Sequence, residues 1–109
     1  MIHLMNSAMM PSDGHYFLYQ ISPRQFATAV ANAHHEGHLK SYIGYEQTAS
    51  MISDLSGVPV EVNREQTVLE TGDEMLIARL RYRVANPGTK GQPVPEDFEF
   101  FRCLYRQPY

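Results

Sequence analysis

Tyr45 is the residue of this 109-residue chain best placed to do chemistry, and its phenol limits which chemistry that can be. It follows Gly44 in Ser41-Tyr42-Ile43-Gly44-Tyr45-Glu46-Gln47-Thr48-Ala49, a stretch that reads as a short strand breaking at a glycine straight into a helix. Such a corner can receive a phosphate. Glycine lets the backbone approach a ligand, and the first helical turn offers unpaired N–H groups with a partial positive charge. A phenol at that point can donate to a phosphate oxygen and stack on a base. As a proton donor near neutral pH it is poor, because its ordinary pKa is about 10, against about 6.5 for histidine.

Arginines form the second candidate set. Along Met75 to Val84, Leu76, Ala78, Leu80, Tyr82 and Val84 share one face of a strand, and Arg79, Arg81 and Arg83 share the other. Three guanidiniums spaced roughly 6–7 Å apart by the strand rise would match neighbouring phosphates of an oligonucleotide. For Arg79 and Arg81 the expectation is plainer: a solvated face whose cations pair with Glu96, Asp97 or Glu99. His34, His35 and His38 gather around the last turn of a helix, where an imidazolium suits the dipole. They lack carboxylate or thiolate partners at ligand spacing, so no metal site and no cofactor are expected. The single Cys103 excludes an intramolecular disulfide and is expected in the core.

The elements that must position these groups alternate between strand and helix. Ile2 to Asn6 reads as a strand leading to the polar Asn6 and Ser7, and Pro11-Ser12-Asp13-Gly14 as a turn. His15 to Ile21 is an aromatic strand, suited to a sheet edge or a dimer contact. Ser22-Pro23-Arg24-Gln25 is a helix start with a capping box, and Phe26, Val30, Ala33 and His34 follow at helical spacing until Gly37. Leu39 to Ile43 is the next strand. The helix from Tyr45 to Ser56 turns Ala49, Ile52 and Leu55 towards the sheet and stops at Gly57. Val58 to Val62 and Thr67 to Glu70 read as further strands, with Gly72-Asp73 as a turn. Asn86 to Pro95 is a loop, and Phe98 to Arg106 a last strand with Phe98, Phe100 and Leu104 on one side.

By length, residues 1–109 form a single domain. A net charge of −3 and a pI near 5.9 argue against binding duplex nucleic acid, which usually needs a broadly basic face, but leave room for a small anion in a local basic pocket. No apolar run suits a bilayer span and the start lacks a secretory signal, so no membrane association and a cytoplasmic location are expected.

Several short pieces together resemble a known family: Leu4-Met5-Asn6, Tyr42-Ile43-Gly44, Leu55-Ser56-Gly57-Val58, Val62-Asn63-Arg64, Gly72-Asp73-Glu74, and Arg83 late in the long strand. In order and spacing they are similar to the viral ring nucleases, small dimeric anti-CRISPR proteins of archaeal viruses and bacterial mobile elements that act against type III systems. The resemblance spans nearly the whole chain. It implies an α/β fold, a mixed β-sheet of about five strands flanked by helices, in a two-fold homodimer whose central cleft accepts cyclic tetra-adenylate. It also implies that Asn6, Ile43, Gly44 and Arg83 contact the ring, with Arg83 clamping a phosphate. Ser7, Tyr45 and Asn86 complete the set of ligand-binding candidates.

The chain departs from the family pattern at the reacting centre. Active members place a histidine after the isoleucine-glycine pair, where this chain has Tyr45, and a glutamate shortly after the arginine, where it has Asn86 and then Pro87. The family reaction is metal-independent: a ribose 2′-hydroxyl attacks the adjacent phosphorus while an acid protonates the departing 5′ oxygen. Losing a positioned acid costs about 10²- to 10⁴-fold in rate, whereas binding need not fall comparably. The expected function is therefore an anti-defence protein that captures a cyclic oligonucleotide second messenger in a homodimer cleft, mainly by sequestration, and in a viral setting acts in the host cytoplasm. Two alternatives stand beside it. One is an active ring nuclease in which Tyr45, His3 or His15 supplies the acid. The other is a protein-binding inhibitor or adaptor on the same fold.

Overall fold

The computed structural model describes residues 1–7, 13–66, 69–81 and 94–108. Among these, five strands form one mixed sheet in an α/β fold: β1 (Ile2–Met5), β2 (His15–Ile21), β3 (Leu39–Tyr42), β4 (Glu74–Leu80) and β5 (Phe98–Arg106). The spatial order is β2-β5-β4-β1-β3. β1 lies parallel to both of its neighbours, β3 and β4, whereas β5 runs antiparallel to β4 and β2. The carboxyl ends of β4, β1 and β3 therefore emerge side by side, with β1 in the middle.

Two helices, α1 (Pro23–His35) and α2 (Glu46–Ser56), pack on the same face of the sheet. α1 starts as its sequence dictates. The Ser22 hydroxyl accepts from the Gln25 N–H at 3.0 Å, the Gln25 side chain accepts from the Ser22 N–H at 2.9 Å, and Pro23 occupies the first turn. Phe26, Val30 and Ala33, spaced to lie on one face, are buried. α2 buries Thr48, Ala49, Met51 and Ile52 and ends on Gly57, whose φ of 74° is the left-handed conformation that glycine reaches without a Cβ penalty. Between helices and sheet lies a core of Leu4, Phe26, Val30, Ile43, Ile52, Leu76, Ala78, Phe98 and Phe100, with the Phe26 and Phe100 rings tilted at 4.7 Å between centroids. Fully burying each such large side chain contributes about 1.5–3 kcal/mol.

The opposite face of the sheet holds a second cluster, with Met5, Leu69, Met75, Ile77, Phe101, Cys103 and Tyr105 buried in it. Cys103 is core, as expected, and burial pushes its thiol up from the ordinary value. β4 thus buries both faces over Met75–Ala78, and the alternation of apolar residues with arginines begins only at its end.

Two sequence-based strands are corrected. Val58 to Val62 pairs with the sheet through a single bridge, Ile43 with Val62, and is otherwise irregular. Side chains take the place of a ladder: the Ser56 and Ser53 hydroxyls accept from the Val58 and Val60 N–H groups, the Ser41 hydroxyl donates to the Glu61 carbonyl, and the Asn63 N–H donates to the Ile43 carbonyl. Pro59 has no N–H to give a ladder. The segment still lies along β3 and shields that edge. Of the Thr67–Glu70 strand, Thr67 and Val68 lie outside the described residues. Leu69 and Glu70 are not strand: Leu69 plugs the second cluster and the Glu70 N–H donates to Asp73 Oδ2.

Asp73 ties the amino ends of β1 and β4 together, with its Oδ2 3.1 Å from His3 Nε2 and its Oδ1 3.4 Å from the Met1 amine. Burial pushes its carboxyl up, but the Glu70 N–H, the His3 ring and the positive charges nearby more than offset this, so it sits below its ordinary value. A carboxyl whose folded pKa is depressed contributes stability that is fully present above the unfolded value, about 3.9, and is lost as pH falls through the folded one. In denaturant titrations from about pH 5 to pH 2, Asp73→Asn is expected to flatten the acid loss of stability. An acid limb identical in the variant would contradict this.

Candidate functional site

The candidate site is the corner between β3 and α2, outside the carboxyl ends of the parallel strands, where open α/β sheets bind ligands. Ile43 enters it from below. Its side chain is fully buried in the helix-side core, its N–H meets the Ser41 hydroxyl at 3.3 Å and its carbonyl accepts from Asn63, so it holds the corner in place.

Gly44 is fixed from two sides. Its N–H donates to Asn6 Oδ1 at 3.0 Å and its carbonyl accepts from Arg64 Nε at 3.0 Å. Asn6, one residue past β1, thereby ties the corner to the central strand. With its carbonyl oxygen committed, its NH₂ is the end that can face a ligand. The glycine's own N–H is therefore already used, and the donors this corner leaves open are the first N–H groups of α2.

Tyr45 occupies the position just before the helix in extended conformation (φ −124°, ψ 128°), not the first helical turn expected for it. It makes no side-chain cap and the residue is 63% exposed. A short Ser, Thr, Asp or Asn there would consume one of the first-turn donors; the phenol makes no such bond and leaves them uncapped. Glu46 follows in that first turn and sets a limit on how much negative charge the corner accepts.

Gly44 is not required by the backbone itself. Its φ is not in the left-handed region, and an added Cβ would meet only Asn6 Oδ1 at 3.8 Å and Arg64 Cγ at 3.9 Å, ordinary contacts. Gly44→Ala is accordingly expected to keep or slightly raise the melting temperature, by analogy with other compatible Gly→Ala changes worth about 0.4–1 kcal/mol. If the glycine serves ligand approach, the same variant loses affinity; calorimetric melting alongside a binding titration reads both.

Arg64 is the site residue that sequence reasoning did not single out. It stands in the extended segment after α2, and only the tertiary path of residues 58–64 brings it over Gly44. Asn63 sets its position: its N–H donates to the Ile43 carbonyl, its side-chain NH₂ to the Ser41 carbonyl at 3.0 Å, and its Oδ1 accepts from Glu65. Among the described residues Arg64 has no carboxylate ion pair, so its remaining guanidinium N–H groups are available to a phosphate. Arg64 also borders a groove of about 460 Å³ between α2 and the 60–62 segment, with Glu46, Ala49 and Ser50 on the helix side.

The arginine comb is divided. Arg79 pairs with Glu99 at 3.2 Å and lies over the Phe101 ring at 4.9 Å; Arg81 donates from Nε to the Glu96 carbonyl at 3.1 Å. Both are engaged by groups of the chain itself, Arg79 across the sheet and Arg81 on the turn that precedes β5. Arg83 and Asn86 lie outside the described residues, and Ser7 is half-buried immediately after Asn6.

The two histidines considered as substitute acids are elsewhere. His3 is buried on the sheet face opposite the helices, beside Asp73 and stacked on Tyr42 at 5.3 Å, three residues before Asn6 and so about 10 Å along the strand. His15 begins β2, three strands away from β1, or about 14 Å across the sheet. No group of three or more His, Cys, Asp or Glu side chains suited to a metal ion occurs among the described residues. Nor is any described helix long and apolar enough to cross a membrane.

Comparison with known proteins matches this architecture. B116 of Sulfolobus turreted icosahedral virus (STIV) is similar in structure, with a TM-score of 0.79 over 94% of this chain and 97% of that one at 16% sequence identity, a likeness of fold. No curated protein matches by sequence. The STIV B116-like family model matches residues 2–93, which include the corner, Asn6 and Arg64. The chain belongs to the STIV B116-like family, named for a protein of an archaeal virus.

Proposed function

We propose that two copies of this chain form a two-fold cleft in which their β3–α2 corners grip a cyclic oligonucleotide immune signal of the cyclic oligoadenylate type, and that the protein acts as an anti-defence factor by sequestering it. The observation that carries this reading is the uncapped amino end of α2, preceded by the exposed Tyr45, at the same corner as an Arg64 that has no carboxylate partner among the described residues. Donors, a cation and an aromatic face at one corner are what a phosphorylated nucleoside requires. Doubling them about a two-fold axis suits a ring of repeating units. The resemblance to ring nucleases supplies the ligand class, and Tyr45 in the histidine's place favours holding over cutting.

The test is a panel of cyclic tri-, tetra- and hexa-adenylate, read first by thermal shift. A ligand at 100 times its Kd stabilises by about 2.7 kcal/mol, which for a domain of this size is a rise on the order of 10 °C. The protein is then denatured and the released ligand analysed by chromatography; intact ring is expected. If no cyclic nucleotide shifts the melting, the reading fails. Linear products accumulating over many turnovers would favour an active nuclease, for which the distances of His3 and His15 from the corner of their own protomer offer no support.

A further inference from the structure

A groove of about 440 Å³ lies between α1 and the helix-facing surface of β2 and β5. Two arginines line it, and no acidic side chain among the described residues does. Three other grooves of similar size, about 390, 370 and 460 Å³, each take in at least one glutamate. In a chain of net charge −3 this groove is therefore a local positive hollow, which attracts a small anion.

α1 supplies one wall. Arg24, Thr28 and Asn32 recur every four residues, a stripe about 12 Å long, and Gln25 lies next to Arg24. Arg24 is exposed and has no carboxylate ion pair among the described residues, so its guanidinium fork is available to an anion. The Gln25 Oε1 accepts from the Ser22 N–H in the capping box, which leaves its NH₂ as the free end. Across the groove, Tyr19 and Arg102 are direct cross-strand partners on β2 and β5. Glu74 Oε2 accepts from Arg102 Nε at 2.9 Å and from Nη2 at 2.6 Å, which fixes the guanidinium and leaves Nη1 uncommitted.

A bare anion would use only part of this lining. Inorganic phosphate on Arg24 and Gln25 would leave the Tyr19 ring, the Asn32 amide and the apolar Ile21 and Ala29 without a ligand contact. The volume falls in the range of small-molecule sites, roughly 300–1,000 Å³. A ring that carries a phosphate engages all of these groups. We propose that this groove is a second ligand site, which takes a nucleoside monophosphate with its phosphate on Arg24 and its base towards Tyr19 and Asn32. A phosphate monoester carries a charge of about −1.5 to −2 at pH 7, which suits two arginines. A closed ring of phosphodiesters has no such terminal group, so this groove and the β3–α2 corner select different nucleotides. The two share no residue and lie towards opposite ends of the sheet, and this site does not depend on the corner.

The test is calorimetric titration with the four common nucleoside 5′-monophosphates, their nucleosides and inorganic phosphate. The tightest monophosphate is expected to bind about 10-fold or more tightly than its nucleoside or inorganic phosphate, since a hydrogen bond to a charged group and a stacked base each contribute that much. Arg24→Ala is expected to weaken the monophosphate by about 10- to 100-fold. The melting temperature without ligand should stay unchanged, because Arg24 is exposed. Tyr19→Leu is expected to weaken the monophosphate about 10-fold and to leave inorganic phosphate unaffected. Arg64→Ala, at the corner, should leave all of these affinities as they are. No saturable binding of any monophosphate at millimolar concentration, inorganic phosphate binding as tightly as the best of them, or wild-type affinity in Arg24→Ala would each overturn the proposal. So would a loss in Arg64→Ala as large as that in Arg24→Ala, which would put the nucleotide at the corner. The corner is probed with cyclic rings and this groove with monoesters, so either reading can fail while the other holds.

Discussion

Tyr45→His is expected to raise the rate of cyclic tetra-adenylate cleavage by about 10²- to 10⁴-fold, the usual worth of a positioned general acid. The substitution changes one property at a fixed place. The backbone at this position is extended and its side chain exposed, so imidazole fits without disturbing the core. What changes is the proton source: at pH 7 an imidazolium of ordinary pKa, about 6.5, is partly populated and transfers its proton readily, whereas a phenol near 10 does not. The rate should be read by single-turnover chromatography of linear products, with the ligand-induced melting shift measured in parallel. A retained shift with no gain in cleavage would mean that the position of Asn86, or the identity of the ligand, limits the reaction more than Tyr45 does. The pH profile adds a check, because the variant's activity should fall as pH rises through the imidazole pKa if the histidine acts as the acid.

Arg64→Ala is expected to weaken binding of the same ligand by about 10- to 100-fold, since a hydrogen bond to a charged group is worth about 1.5–3 kcal/mol. The guanidinium is held by one bond, from Nε to the Gly44 carbonyl, which leaves its other N–H groups free to form a fork on a phosphate. Lysine keeps the charge and loses the planar fork, so Arg64→Lys should recover only part of the affinity. Arg64 is exposed and lacks a carboxylate partner among the described residues, so the melting temperature without ligand should change little. Calorimetric titration of both variants against wild type reads the effect. Equal affinities in all three would remove Arg64 from the site and with it the geometric support for phosphate binding at this corner.

Several elements were legible in the amino-acid order because their signals are local. The Ser22 capping box starts α1, Gly57 ends α2 in a left-handed turn, and alternation delimits β2 and β5 at their observed ends. The corner itself was also legible, since the passage from β3 through Gly44 into α2 is contained within nine residues. Periodicity says which face of an element is apolar. It does not say what lies against that face, and there the reading fell short. Val58 to Val62 has the residues of a strand, yet its N–H groups go to serines on α2. Met75 and Ile77, on the face assigned to arginines, are buried by a second apolar cluster.

For the site, sequence alone determined the kinds of groups at the corner: a glycine, a phenol in place of an imidazole, and the first turn of a helix. Tertiary structure decided how they are used. Asn6 and Arg64 lie 38 and 20 positions from Gly44 along the chain, and only the placement of β1 beside β3, with the return of the 58–64 segment, makes them its hydrogen-bond partners. Hydrogen bonds between distant residues depend on which strands become neighbours. That choice is made by burial of the whole sheet and is not recorded in any local spacing.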